Sequence, residues 1–138
     1  MTQETTIQVL FGTETGNAEE CALDVGRLIR EQGFLCQVTD LDDFYPPDIA
    51  KEKLVVLVTS TYGNGGPPAN AAALMDWLID TQESLGGVSY AVCGLGDTTY
   101  PNFCQAAKDF DDLLEQRGAK RILPIQENCS DYEESIGA

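Results

Sequence analysis

Leu54-Val55-Val56-Leu57-Val58-Thr59-Ser60-Thr61-Tyr62-Gly63-Asn64-Gly65-Gly66-Pro67-Pro68 decides the fold. Its first five residues are aliphatic without alternation. A strand with one wet face alternates apolar and polar residues. A continuous run belongs instead to a strand covered on both faces, in the middle of a parallel sheet. Hydroxyl residues, then three glycines in the four residues 63–66 and a proline pair, end the run in a loop.

The same alternation of strand and helix extends outward in both directions. Upstream, residues 6–11 read as a strand, followed by a Gly/Thr-rich turn. Over residues 17–32, Ala18, Cys21, Ala22, Val25, Leu28 and Ile29 fall on one helical stripe, with Gly33 as the C-terminal cap. Residues 35–39 are a short strand, and the acidic, Pro-Pro-containing residues 40–50 read as a loop with at most one helical turn. Downstream, Ala71, Leu74, Met75, Leu78 and Ile79 mark a second helix, closed off by Gly86-Gly87. Residues 88–93 form a fourth strand. Phe103, Ala106, Ala107, Phe110, Leu113 and Leu114 give a third helical stripe ended by Gly118. Residues 121–125 are the fifth strand, which Pro124 places at a sheet edge because it has no amide to donate.

Five strands with intervening helices and right-handed crossovers make a doubly wound parallel α/β sandwich. No repeat or linker interrupts residues 1–138, which read as one domain. After the last strand, residues 131–138 amount to barely two helical turns. Either the final helix is very short or the chain is cut from something longer.

Composition narrows the function. A chain of 138 residues, 43% hydrophobic, can bury a core without disulfides or metals. No basic-then-apolar leader and no run long enough to cross a bilayer are present, so a cytoplasmic location is expected. Twenty-three acids against eight bases give a net charge of −15. The bases are scattered, which excludes the clustered positive footprint of a nucleic-acid binder, and an anionic membrane surface would repel the chain. Such acidity serves solubility, or steers the protein toward a basic partner. The chain has no histidine, which removes Ser-His-Asp triads, Cys-His pairs and His-ligated metals. The odd set Cys21, Cys36, Cys93, Cys104 and Cys129 has no CxxC spacing, so most read as small buried residues in a reducing compartment.

Chemistry concentrates on three loops, each after a strand and therefore at one end of the sheet. Gly12-Thr13-Glu14-Thr15-Gly16-Asn17 combines hydroxyls, a permissive glycine and a helix N-terminus, which together suit a phosphate. It lacks the GxxxxGK[ST] lysine and the GxGxxG pattern, so neutral donors point to a monophosphate held without metal. A capped turn is the ordinary use of such a string. Thr59 to Pro68 adds hydroxyls beside it and an aromatic, Tyr62. Gly94-Leu95-Gly96-Asp97-Thr98-Thr99-Tyr100-Pro101-Asn102-Phe103 brings a second aromatic, Tyr100, and an acceptor, Asp97. Two rings on adjacent loops can sandwich a flat heterocycle, although either tyrosine alone is more commonly a half-exposed surface residue. Together the loops describe a site for a planar ring carrying a monophosphate.

In these motifs, Thr13-Glu14-Thr15-Gly16-Asn17-Ala18-Glu19, Ser60-Thr61-Tyr62-Gly63 and Gly94-Leu95-Gly96-Asp97-Thr98-Thr99-Tyr100, the chain resembles the flavodoxin-like family across almost its whole length. It is most similar to short-chain flavodoxins and to the FMN domains of diflavin reductases of the sulfite reductase flavoprotein type. The resemblance implies strand order 2-1-3-4-5, FMN as cofactor and one-electron transfer as function. Thr13, Glu14, Thr15, Gly16 and Asn17 would hold the phosphate, aided by Ser60 or Thr61, with Ala18 also in the cofactor-binding set. Tyr62 and Tyr100 would flank the isoalloxazine, and Asp97 with Gly94, Leu95 and Gly96 would meet its pyrimidine edge. Asn64, Asn102 and Phe103 complete the cofactor-binding set. Gly63 would supply the peptide that turns over to accept from flavin N5–H and favour a neutral semiquinone, a step suited to glycine. Ring packing and a field of −15 would disfavour the anionic, fully reduced flavin.

Three departures from the family pattern stand out. Ala18 replaces a frequent hydroxyl residue, Asn64 and Gly66 replace frequent acids, and the final helix is short. The resemblance implies a monomer whose reductase donor and electron acceptor present basic surfaces to acids such as Asp40, Asp42, Asp43, Glu127, Asp131, Glu133 and Glu134. A self-contained FMN-dependent NAD(P)H:quinone oxidoreductase ranks second, because no segment is long enough to add a nicotinamide pocket. An FMN-free interaction domain ranks third.

Overall fold

The computed structural model describes residues 6–12, 17–60, 69–95, 105–122 and 126–127. The elements follow in the order β1 (Thr6–Gly12), α1 (Asn17–Glu31), β2 (Leu35–Asp40), β3 (Leu54–Ser60), α2 (Ala69–Asp80), β4 (Ser89–Leu95), α3 (Gln105–Gln116), β5 (Lys120–Arg121) and β6 (Gln126–Glu127). Every strand pairing is parallel. The sheet order is β2-β1-β3-β4-β5, with β6 pairing β4 beyond β5. This is the doubly wound order that the family resemblance implies.

The aliphatic run of β3 divides its side chains between two cores, as a doubly covered strand must. Val55 and Leu57 join Leu10, Tyr90 and Val92 beneath α2 (Leu74, Leu78) and α3 (Phe110, Leu114). Val58 faces the other way, with Val9, Phe11 and Cys93, beneath Ala18, Ala22, Val25 and Ile29 of α1. Helix ends follow their glycines. Gly33 and Gly118 adopt φ of 94° and 99°. Each closes a Schellman motif: Gly33 N–H donates to Arg30 and Phe34 N–H to Ile29, while Gly118 donates to Glu115 and Ala119 to Leu114.

Four expectations need correction. The second helix ends at Asp80 rather than at Gly86-Gly87. Its last carbonyls, on Leu78 and Ile79, accept from the Arg117 guanidinium at 2.7 and 3.0 Å, so a side chain from α3's end does the work expected of glycine. Gly86-Gly87 instead lies in the turn entering β4, where Val88 N–H donates to Leu85. Residues 40–50 hold more than one helical turn. Two 3-10 segments, Leu41–Asp43 and Pro46–Lys51, form because the Asp40 carboxylate caps Asp42 N–H at 2.8 Å and Pro46 begins the second.

The fifth strand is two short pairings rather than residues 121–125. Ser89 is opposite Lys120 and Cys93 opposite Gln126, so four steps along β4 match six along the edge. Pro124 lies outside the described residues. Finally, Gly12, Thr59, Ser60, Gly94 and Leu95 were expected in loops but are strand residues, because each continues the ladder of its neighbour.

Cys21 and Cys93 are buried and Cys36 half-buried, and none of the three forms a disulfide. Cys104 and Cys129 lie outside the described residues. Among the described residues no helix is long and apolar enough to cross a membrane.

Candidate functional site

The strand extensions build the site. At the carboxyl end of the sheet Gly12 is opposite Thr59, and Thr59 is opposite Gly94. Adjacent strands are about 4.8 Å apart, so these three residues form a row about 10 Å wide. All three are buried. Alternation along the strands puts them on the α2/α3 face with Leu10, Leu57 and Val92. Two of the three have no side chain, so the row itself places no bulky group at the strand ends. From this row the chain enters residues 13–16, 61–68 and 96–104, the three segments whose sequences carry the ring and phosphate chemistry. The strand order reverses between β1 and β3, so the row straddles the topological switch point, where ligands of open α/β sheets bind.

Helix α1 begins at Asn17, and its first amides have no helical acceptor, which leaves them available to an anion. Ala18 is fully buried among Phe11, Val58 and Cys93. Its methyl packs the core, so the only donor this position offers is its amide. Glu19 and Glu20 in the first turn are exposed, and water screens their charge. Among the described residues no His/Cys/Asp/Glu group could hold a metal ion. The described part of the lining, Gly12, Thr59 and Gly94, is neutral and small, which fits a phosphate-bearing planar group.

Of the expected cofactor residues, the structure brings Asn17, Ala18, Ser60, Gly94 and Leu95 to one end of the sheet by backbone position. Thr13, Glu14, Thr15, Gly16, Thr61, Tyr62, Gly63, Asn64, Gly96, Asp97, Tyr100, Asn102 and Phe103 lie outside the described residues. Of the expected docking acids, Asp40 is opposite Phe11 and leads into Asp42 and Asp43, while Glu127 is opposite Gly94. All four are therefore at this same end. Asp131, Glu133 and Glu134 lie outside the described residues.

Strongly perturbed groups sit elsewhere. Tyr90, fully buried on β4, donates its hydroxyl to the Asp111 carbonyl at 3.0 Å. Burial, then the Asp111 charge, pushes its phenol up to about 12. Arg121 donates to both Asp111 carboxylate oxygens at 2.9 Å, which holds the guanidinium more firmly charged. Together they lock β4, α3 and β5. Burial pushes the Cys36 thiol up, against the opposing Arg30 charge, so it is a poor nucleophile.

A family model described as Flavodoxin matches residues 9–137. The chain belongs to the flavodoxin family. Among curated flavodoxin-domain relatives, the sulfite reductase (NADPH) flavoprotein alpha-component of Thiocapsa roseopersicina is 44% identical over 127 residues, 91% of this chain and 24% of that protein. Its Bacillus subtilis counterpart is 37% identical over 129 residues, 93% of this chain and 21% of that protein. The chain thus spans a quarter or less of the length of these relatives. Among solved structures, the Streptococcus pneumonia TIGR4 flavodoxin superposes with a TM-score of 0.79 at 30% identity, covering 96% of this chain and 90% of that one. A short-chain flavodoxin associated with a bacterial microcompartment gives 0.79 at 28% identity, covering 96% and 89%. Family and relatives together support FMN-dependent electron transfer as the class of function.

Thr59 enters this row although it is not among the expected cofactor residues. A polar residue ending an aliphatic run on a buried face was the available signal.

Proposed function

We propose that residues 1–138 form one FMN-binding domain that passes single electrons between a reductase and a redox acceptor, either free-standing or as part of a longer reductase similar to the NADPH sulfite reductase flavoproteins. The observation that carries this reading is the row Gly12–Thr59–Gly94 at the switch point, beside the start of α1. It roots all three ring-and-phosphate loops within about 10 Å.

Bound there, FMN supplies the redox chemistry, in one-electron steps. The chain's own residues bind and tune it. Thr13, Glu14, Thr15, Gly16 and Asn17, the Ala18 amide and Ser60 or Thr61 hold the phosphate with neutral donors and a helix N-terminus. Tyr62 and Tyr100 exclude water from the ring faces, and Asp97 with Gly94, Leu95 and Gly96 orients the pyrimidine edge. Gly63 offers a carbonyl that can accept a hydrogen bond from N5–H. Asn64, Asn102 and Phe103 border the same loops. Acids at this end, Asp40, Asp42, Asp43 and Glu127, favour partners with a basic docking face.

An anaerobic reductive titration followed by visible absorbance tests the reading. The expected course passes through the long-wavelength band of a neutral semiquinone. Reduction in one two-electron step removes the single-electron function and the role of Gly63. Absence of flavin even after added FMN sinks the site.

A further inference from the structure

We infer that Thr59, through its hydroxyl, is a positioning residue for the cofactor loops, an inference that rests on the FMN reading above. Thr59 ends the α2/α3 face of the central strand, where Val55 and Leu57 precede it. It is fully buried. A buried aliphatic of the same shape would meet the needs of packing alone, since a buried hydroxyl is costly unless bonded. Among the described residues no buried side-chain oxygen lacks a hydrogen-bond partner, so the Thr59 hydroxyl is bonded. Its two cross-strand neighbours at this level, Gly12 and Gly94, contribute no side chain. Thr59 is therefore the one side chain among these three, and its hydroxyl the one side-chain polar group they carry, although the level continues across β4 to Glu127.

Residues 13–16, 61–68 and 96–104 all depart within two residues of the row. A directional bond at this point is a constraint on the central root beyond its ladder pairing. A valine would fill the same volume and keep the ladder to Gly12 and Gly94, but lose that bond. The hydroxyl thus acts through the loops: it sets where their donors stand before FMN arrives, which lowers the ordering cost of binding.

The test compares T59V and T59S with the unchanged full chain. Readouts are FMN affinity by quenching of flavin fluorescence, the visible circular dichroism of the bound flavin, and apoprotein melting by far-UV circular dichroism. At a temperature where each variant is fully folded, T59V is expected to bind FMN about three- to tenfold more weakly, the range set by one net hydrogen bond. Its bound-flavin dichroism should change shape as well. T59S, which keeps the hydroxyl and loses the methyl, should bind within about twofold of the unchanged chain, the scale of less than half a kcal/mol. Equal affinity of T59V and the unchanged chain overturns the inference and leaves the FMN reading standing. T59S as weak as T59V overturns it too, by assigning the loss to packing. A T59V chain that never folds makes the hydroxyl a stability element and also overturns it. Failure of the unchanged chain to bind FMN removes the FMN reading first and this inference with it.

Discussion

The two ends of the sheet are built on opposite principles. At the amino end, side chains tie elements together. Arg117 holds the last carbonyls of α2 while its own carbonyl accepts from Leu85 N–H at 2.8 Å. Arg121, Asp111 and Tyr90 join β5, α3 and β4. At the carboxyl end, the row Gly12–Thr59–Gly94 has one side chain between three strands. Charge follows the same division. Arg27, Arg30, Lys51, Lys53, Arg117, Lys120 and Arg121 all lie at helix ends or strand starts on the amino side, and Lys108 alone of the eight bases lies toward the other. Among the described residues, these side-chain ties and seven of the eight bases thus gather at the amino end, away from the end where Asp42, Asp43 and Glu127 would meet a basic partner.

The deepest cut into the shared frame is Phe110→Ala. Phe110 is fully buried in the core under α3. Its loss should cost about 3–5 kcal/mol, read as a lowered urea midpoint of the apoprotein. Saturating FMN should recover part of that loss, because a ligand of the native state adds stability by mass action. No recovery would mean that the carboxyl end had lost its arrangement together with the core, so that the two ends do not behave separately.

Alkaline titration gives the next largest effect and reads the amino-end lock directly. The Tyr90 phenol, raised from 10.0 to about 12, keeps its proton in the folded chain at pH values where the unfolded chain has lost it. Its stability contribution is therefore full below pH 10 and is lost as pH rises from 10 to 12. The slope in that window should approach about 1.4 kcal/mol per pH unit. Y90F should flatten this alkaline slope while lowering stability at neutral pH by about 1 kcal/mol, through loss of the bond to Asp111. An unchanged slope in Y90F would assign the alkaline loss to other groups.

How far this division could be read from the sequence depends on the kind of signal. Periodicity in β1, β3, α1 and α3 is a one-dimensional trace of burial, so the continuous run Leu54–Val58 fixed a covered central strand and, with the helical stripes, the doubly wound architecture. Gly33 and Gly118 were legible because a Schellman cap needs positive φ at one position in sequence. The end of α2 was not. Its terminator, Arg117, is 38 residues beyond Ile79, and no local pattern announces a cap from a distant side chain. Loop boundaries misled for a related reason: Gly12, Thr59 and Gly94 read as turn residues by type, yet ladder pairing from neighbouring strands extends the sheet through them. The same extension made Thr59 a member of the row.

Arg117→Ala makes the smallest and most discriminating cut. It removes two charge-assisted donors from the final carbonyls of α2: Ile79 is exposed and its carbonyl can turn to water, while Leu78 is buried. The loss should be about 1–2 kcal/mol, less than for a buried pair, or a melting point lower by about 3–6 °C for a domain of this size. Arg117→Lys should recover little, because an ammonium cannot match the fork that reaches Leu78 and Ile79 together. The FMN affinity of the folded variant should stay within about twofold, since a bond at the amino end contributes to the folding equilibrium and not to the loop roots. A parallel fall in affinity and stability would show that α2, which begins just after residues 61–68, transmits its C-terminal anchoring along its length to the site.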